Sequence, residues 1–503
     1  MSHVTLLPRV TLGVDGRLLS PAENNGLRAV RVQQRLSQPT LCELTFDAAT
    51  GAGERLSPGV NLRVGVDDEQ TALFTGEVTA VEYLYGPAQE KTVRIRAYDP
   101  LHRLRKRQTV RAHVQVTPAD LARQLAGEIG LRLEAQASGP LWARYYQHEQ
   151  TDLDVLVDMT VRAGLYLAVR QDTLYLLTLQ GSGELLPLAW GQSLLEARLE
   201  VNADAASRRV QASAWDPGSV SVHNGAAQQA RSGRAVSAAV EPQAVGGDGR
   251  WALVDAGVVS SEQASALSQA ELDRAVARDV TLWALAEGDP RLRPGVAVQV
   301  DGVAPTVAGR YVLTSVTHAI DTQFGFTSEL SSEPPAPRRA VHGAVVTLGI
   351  VSQIHDPANA GRVKVTLPTY NNVETDWLSV VAAGAGAGKG LMMTPDLDDR
   401  VLLVLSHGDP ARSVVLGGLY DGDRAYDSGV DGGAVTRYTL RTPGGQLLRL
   451  DDGGKTVHLE NSDGSYVTLS PGGMHLHATR NLEIEAPGQA IVIRANSIDF
   501  QRG

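Results

Sequence analysis

Cysteine is almost absent from this chain. Cys42 is the only one in 503 residues, so no intrachain disulfide can form. Its place in the alternating string Leu41-Cys42-Glu43-Leu44 predicts a buried thiol rather than a reactive one. Aromatic residues are scarce as well, at 5%. No run approaches the ~20 apolar residues of a membrane-spanning helix, and residues 1–16 lack the charged and apolar regions of a secretory leader. The expectation is a chain made and folded in the cytoplasm, with any export by another route. A basic excess is also missing: the net charge of −10 argues against a nucleic-acid surface as the main business. What is plentiful is glycine, with 51 residues. Together with short alternating runs of β-branched residues it predicts a mainly β protein with some helix. The length leaves room for about three to five domains.

The most informative stretch runs from Leu440 to Phe500. Apolar residues stand two apart in Leu448/Leu450, Val457/Leu459, Val467/Leu469, Leu476/Ala478, Leu482/Ile484, Ile491/Ile493 and Ile498/Phe500. Gly444-Gly445, Gly453-Gly454, Asp463-Gly464, Gly472-Gly473 and Pro487-Gly488 separate most of them, at a repeat of roughly nine residues. Residues two apart share one face of a strand. A ribbon this thin has nothing of its own to cover that face. Several copies wound together would bury it, which predicts an oligomeric needle with Leu450, Val457, Leu459, Val467, Leu469, Leu476, Leu482, Ile484, Ile491 and Ile493 along its axis.

Upstream, the alternation predicts strands over 30–36, 41–46, 60–66, 72–83 and 91–98. Thr117-Pro118-Ala119-Asp120 opens a helix whose apolar side is Leu121, Leu125 and Ile129. A second helix follows a Thr151 or Asp152 cap and stops at Gly164, and a third covers 261–277. The boundaries predicted are a first barrel at 1–112, an α/β insertion at 113–195, a second barrel at 196–331 and a proline-rich linker at 332–340. A compact β segment at 341–422, a Gly/Asp-rich connector at 423–435 and the needle at 436–503 complete the chain.

One string occurs twice. Leu56-Ser57-Pro58-Gly59-Val60, with Leu62 and Val64 after it, matches Leu292-Arg293-Pro294-Gly295-Val296, with Val298 and Val300. Each is trailed by a Gly-containing strand, 75–81 and 309–316. Any β-turn before a strand can look like this; alternatively the chain holds two related barrels, and three chains would then present six in a ring.

Gly349-Ile350-Val351, Asp356-Pro357, Gly361-Arg362-Val363-Lys364-Val365, Leu367-Pro368, Trp377, Gly388 to Gly390, Val401-Leu402-Leu403, Gly408-Asp409-Pro410 and Val415 to Tyr420 resemble the OB-fold of contractile-injection spike proteins. That family comprises the VgrG proteins of type VI secretion and the spikes of contractile phage tails and extracellular injection particles. Leu73 to Val78, Tyr98 to Leu104, Gly309-Arg310-Tyr311 and Val316-Thr317-His318 resemble its hub domain. The resemblance runs in the family's order: a hub of two β-barrel-like domains with an α/β insertion, an OB-fold, and a C-terminal intertwined trimeric β-helix.

The resemblance implies a homotrimeric central spike, assembled in the bacterial cytoplasm and carried by a phage-tail-like particle of a kind that can be released extracellularly. It adapts a threefold spike to a sixfold tube and punctures the target membrane when the sheath contracts. Expected partners are hexameric tail-tube proteins, baseplate proteins, cargo effectors and a PAAR-repeat tip protein seated on Ile498, Phe500, Gln501 and Arg502. The membrane is met only transiently, and no cofactor is implied. The alternatives are a type VI VgrG or a tailspike-type cell-envelope hydrolase. The residues between OB-fold and needle leave no room for the lysozyme domain of the prototypical phage spike, and the needle strands are too short for a carboxylate-lined groove.

Other chemistry-like strings are weak. Gly384-Ala385-Gly386-Ala387-Gly388-Lys389 has three residues between glycines and Gly390 after the lysine, where a phosphate loop needs four and a hydroxyl. His148-Glu149 lacks a second histidine, and Asp398-Asp399 reads as a turn. The run Arg103, Arg105, Lys106 and Arg107 reads as a charged hub edge or subunit contact. His475 and His477 share a strand face, and threefold symmetry would converge six imidazoles on one metal. They alternate with Met474, Leu476 and Ala478, however, so the expectation is that they face solvent.

Overall fold

The computed structural model describes residues 8–501 apart from 48–55, 68–71, 88–89, 205, 217–220, 255, 337–342 and 421–424. Arg502 and residues 337–340 of the proline-rich linker therefore lie outside the described residues. The chain divides into two compact units, Met1–Gly418 and Leu419–Gly503.

The first unit is built on a half-barrel sheet in which one strand pattern occurs twice. Its first copy comprises β1 (Leu27–Arg35), β2 (Leu41–Asp47), β3 (Asn61–Val66), β4 (Phe74–Tyr85) and β5 (Lys91–Tyr98). The second comprises β6 (Leu194–Val201), β7 (Val280–Glu287), β8 (Val296–Asp301), β9 (Gly309–Val312), β10 (Ser315–Asp321) and β11 (Gly325–Ser331). The eleven-stranded sheet runs β6-β7-β11-β10-β1-β2-β5-β4-β3 and ends on two short strands, Val10–Val14 and Arg17–Leu18. In the second copy, β9 and β10 together correspond to β4.

The repeated Leu-x-Pro-Gly-Val strings sit at matching places. Gly59 N–H donates to the Val78 carbonyl at 2.9 Å and Gly295 N–H to that of Leu313 at 2.7 Å. Val78 N–H and Leu313 N–H return the bond to Val60 and Val296, each at 2.9 Å. Registers agree residue for residue: Asn61–Glu77 and Leu62–Gly76 in one copy, Ala297–Val312 and Val298–Tyr311 in the other. Leu56 and Leu292 are both 1% exposed, each in the core of its own copy.

Both glycines of the strings have positive φ, +98° at Gly59 and +88° at Gly295, where a side chain is strained. An added Cβ meets nothing at Gly59 but falls 2.3 Å from Leu177 Cδ1 at Gly295. Gly59→Ala should therefore cost about 1–2 kcal/mol, from backbone conformation alone. Gly295→Ala should cost about 1–3 kcal/mol more, from overpacking. Denaturant midpoints of the two variants check the difference; equal shifts would refute it.

The α/β insertion carries the predicted helices. Thr117 caps α1 (Pro118–Glu128): its Oγ1 accepts from Asp120 N–H at 3.2 Å, and the Asp120 carboxylate accepts from Thr117 N–H at 3.3 Å. Thr151 and Asp154 repeat the arrangement for α2 (Asp152–Arg162), which makes Thr151 the cap rather than Asp152. The apolar sides of both helices and the Tyr166–Arg170/Thr173–Leu177 hairpin share one core. The third helix, α3 (Ser261–Asp279), packs on the second copy's flanking strands. Cys42 is fully buried in β2, and burial pushes its thiol up.

The OB-fold follows. Its five-stranded sheet pairs Ala344–Gln353 with Lys364–Leu367 and with Arg400–Ser406. Bridges Val363–Leu378 and Val380–Val415 draw the sheet toward closure around Val351, Val365, Leu367, Leu403 and Leu405. Two motifs gain physical reasons. Gly349 cannot carry a Cβ, which would lie 2.2 Å from Val365 Cγ1. Arg362 grips Asp356 in a two-pronged contact at 2.8 and 3.0 Å, and Ala358 and Ala360 N–H groups add two more bonds at 3.0 Å each. The Arg362 guanidinium holds the Asp356 carboxyl well below the usual carboxylate range.

The second unit, in the single chain, is a ladder of short strands. Five strands, Arg437–Arg441, Leu447–Asp451, Thr456–Glu460, Tyr466–Ser470 and Gly473–His477, form one antiparallel ladder within the chain. Among the described residues no strand follows His477. Leu482/Ile484, Ile491/Ile493 and Ile498/Phe500 lie outside any strand.

Candidate functional site

The glycine turns fold the ladder so that its apolar residues meet. Cross-strand pairs are Tyr438–Leu450 and Leu440–Leu448, then Leu448–Leu459 and Leu450–Val457. They continue through Val457–Leu469 and Leu459–Val467 to Val467–Leu476 and Leu469–Met474. Period-two alternation puts all of these on one face. Among the described residues nothing in the unit covers that face: Leu459 is 55% exposed, Leu476 48% and Met474 68%. Of the predicted axial residues, Leu450, Val457, Leu459, Val467, Leu469 and Leu476 are brought together here. Leu482, Ile484, Ile491 and Ile493 are not; they are exposed on the partnerless segment. Tyr438 belongs to the face and was missed, because its strand precedes the regular repeat.

The opposite face is polar. Tyr466 stacks on His475 at 5.6 Å and on His477 at 5.0 Å between ring centroids. His458 meets Thr468 Oγ1 at 2.7 Å and Glu460 at 3.1 Å. His475 and His477 thus stand with an aromatic ring, turned away from the Leu476 face, and no metal-holding cluster occurs among the described residues. Asp427 ties the connector to the first strand of the ladder on this same face, accepting from Arg437 at 3.2 Å and from Thr439 Oγ1 at 2.9 Å. The Arg437 guanidinium foremost, then the Gly429 N–H and the Thr439 hydroxyl, hold its carboxyl well below the usual range. Ile498, Phe500 and Gln501 are exposed, Phe500 at 89%.

The other candidate strings resolve into structure. Gly384 to Lys389 forms a small hairpin, with Gly386 facing Lys389. Asp399 accepts from Asp396 N–H at 2.8 Å in a turn. The arginine run lies on a 3-10 helix, Pro100–Lys106, and its charges are largely matched. Arg103 pairs with Glu77, Arg107 with Glu128 and Asp152, and Arg105 lies 4.5 Å over the Tyr98 ring. A run so engaged is a poor phosphate cradle.

Two buried groups of the first unit couple it to pH. His318 Nε2 donates to the Leu292 carbonyl at 3.1 Å and Nδ1 accepts from Ser328 Oγ at 2.9 Å, an arrangement for the neutral ring. Burial lowers its pKa from 6.5 to about 4. The neutral ring therefore stabilises the fold fully above pH 6.5, and that contribution is lost as pH falls through about 4. Asp99 accepts from Thr40 N–H at 2.8 Å and Leu101 N–H at 3.1 Å, yet burial raises it from 3.8 to about 6. Its protonated form stabilises fully below pH 3.8, and this is lost as pH rises through about 6. The two oppose each other over the shared window. Asp99→Asn removes one of them, so thermal stability should fall more steeply on acidification than in the unmodified chain. The His318 contribution is at most about 3 kcal/mol. Melting curves between pH 4 and 6.5 check it; parallel curves for the two proteins would refute it.

Comparison with known proteins agrees with this architecture. Residues 43–322 match the family model of the Alg8 N-terminal domain, more than half of the 503 residues. Residues 347–420 match the Type VI secretion system/phage-baseplate injector OB domain. A PdpA-VgrG complex from Francisella, in its lidded form, is 10% identical with a TM-score of 0.56, covering 95% of this chain and 81% of that one. The Escherichia coli c3393 protein, a type VI secretion component similar in structure to T4 tail proteins gp27 and gp5, is 14% identical with a TM-score of 0.52. That match covers 81% of this chain and 99% of the other. A 43 kDa tail protein of prophage MuSo2 from Shewanella oneidensis is 15% identical over 65% of this chain and 98% of its own, with a TM-score of 0.49. No curated protein matches the chain. The fold is that of a VgrG-like spike. Among the described residues no helix is long and apolar enough to cross a membrane.

Proposed function

The chain belongs to the Alg8 N-terminal domain family, and from that premise, with its injector OB domain, we propose that it is the central spike of a contractile injection machine. Its role is structural rather than enzymatic. Three copies join through the apolar face of the ladder, which turns inward, while the His475/His477/Tyr466 face turns to solvent. The extended segment beyond His477 gains its strand partners from the other two copies and completes the needle. Residues 1–331 form the hub, whose duplicated copies make three chains resemble a ring of six and so fit a hexameric tube. Baseplate proteins surround the hub, a PAAR-repeat protein caps the needle, and sheath contraction drives the assembly through a membrane.

One observation carries this reading: an entire face of a five-stranded ladder is apolar and uncovered. Isolated apolar patches of this kind are a liability unless a partner hides them. Electron microscopy of the purified chain tests it. The expected image is a threefold rod with a ring at one end. Separate globular particles of monomer mass would overturn it.

A further inference from the structure

The duplicated hub assigns a partner to two free strand edges. Within one chain the two copies meet where β10 pairs with β1, Val316 opposite Gln34, His318 opposite Val32 and Ile320 opposite Val30. In the first copy the equivalent of β10 is the later half of β4, and in the second copy the equivalent of β1 is β6. Both edges are vacant among the described residues. From Ala80 onward β4 pairs with β5 alone, and from Glu196 onward β6 pairs with β7 alone. They lie at opposite ends of a run of eight strands and do not pair with each other within the chain.

We propose that β4 of one protomer pairs antiparallel with β6 of the next, in the register that β10 and β1 use internally. Equivalent positions follow from the shared ladders: Val81–Ile95–Leu44–Val30 in the first copy, Val316–Leu330–Ala284–Ala197 in the second. Carrying the internal register across puts Val81 opposite Val201, Tyr83 opposite Leu199 and Tyr85 opposite Ala197.

Exposure supports the assignment. His318 and Ile320, covered at the internal junction, are 1% and 4% exposed, whereas their counterparts Tyr83 and Tyr85 are 57% and 74% exposed. Val201 is 49% exposed on the facing edge. Open edges carrying exposed apolar side chains invite strand addition. Glu82 faces Glu200 in this register, and each already has an arginine beside it, Arg94 at 3.4 Å and Arg198 at 3.1 Å. The ring then alternates internal and intermolecular versions of one junction, six in all for three chains.

This inference rests on the trimer proposed above, and the test separates the two. The double variant Tyr83→Cys/Leu199→Cys is purified, oxidised mildly and run on a non-reducing denaturing gel, with native mass measured by light scattering. Most of the chain should move into covalent dimer and trimer bands. Tyr83→Cys/Glu200→Cys, whose second thiol points to the other face, should stay a single-chain band. Tyr85→Cys/Ala197→Cys tests the same register with a milder change and should give the same ladder. Trimer mass without cross-links, or equal cross-linking of the shifted pair, would overturn the register and leave the trimer standing. Monomer mass for the unmodified chain would overturn both.

Discussion

Leu459→Asp combined with Ile484→Asp should convert the protein from a trimer into monomers or aggregates. Leu459 sits mid-ladder between Leu448 and Val467, on the face that nothing covers. Burying a further ~50 Å² on each such side chain stabilises by roughly 1 kcal/mol, and the many positions per chain make assembly strongly favourable before entropy is counted. The sum is an upper bound, because real unfolded and unassembled chains already hide some of this surface. An aspartate at Leu459 would bring three carboxylates together on a dry axis, where each costs several kcal/mol. Ile484 adds the same penalty on the segment whose strand partners, in the proposed trimer, come from other chains. Light scattering at micromolar concentration checks the outcome. A double variant that keeps the trimer mass would mean that the ladder face is not the interface.

A change on the other face provides the contrast. His475 and His477 stack on Tyr466 and contact nothing on the apolar side. Replacing both with asparagine should leave the trimer mass unchanged. The two outcomes together test the orientation of the ladder rather than its stability alone.

Local signals made much of the fold legible. The caps at Thr117 and Thr151 follow from one-turn hydrogen-bond chemistry, which needs no distant partner. The ladder strands up to His477 follow from period-two spacing cut by glycine turns. The doubled Leu-x-Pro-Gly-Val string located both hub copies, because a positive-φ glycine beside a buried leucine is a strong constraint. Strand pairing across the copies was not legible: β10 meets β1 from nearly three hundred positions away along the chain, and nothing in either string names the other. The exposed edges at Tyr83, Tyr85 and Val201 were missed for the same reason. In sequence they read as ordinary strand residues, and only the vacancy beside them gives them meaning. The strands expected at 482–484, 491–493 and 498–500 fail in the single chain for a different reason. Alternation sets which face a strand would bury, but a strand exists only when a neighbour completes its hydrogen bonds.

Ile498→Asp combined with Phe500→Asp should leave the trimer intact and abolish capture of a PAAR-repeat protein. Ile498 is 50% exposed and Phe500 89% exposed, with no strand partner beside either. In a trimer three copies of each ring the axis, an apolar surface of the kind proteins usually cover. Covering one Ile or Phe side chain contributes about 1.5–3 kcal/mol. Losing both and introducing charge should therefore weaken tip binding by roughly a hundredfold or more. The ladder face lies upstream of both substitutions, so the trimer should persist. Pull-down of a purified PAAR-repeat protein, with the trimer mass recorded in parallel, decides the matter. If the substituted trimer still binds it with unchanged affinity, the tip sits elsewhere; if the trimer itself falls apart, these residues hold the needle together rather than its cap.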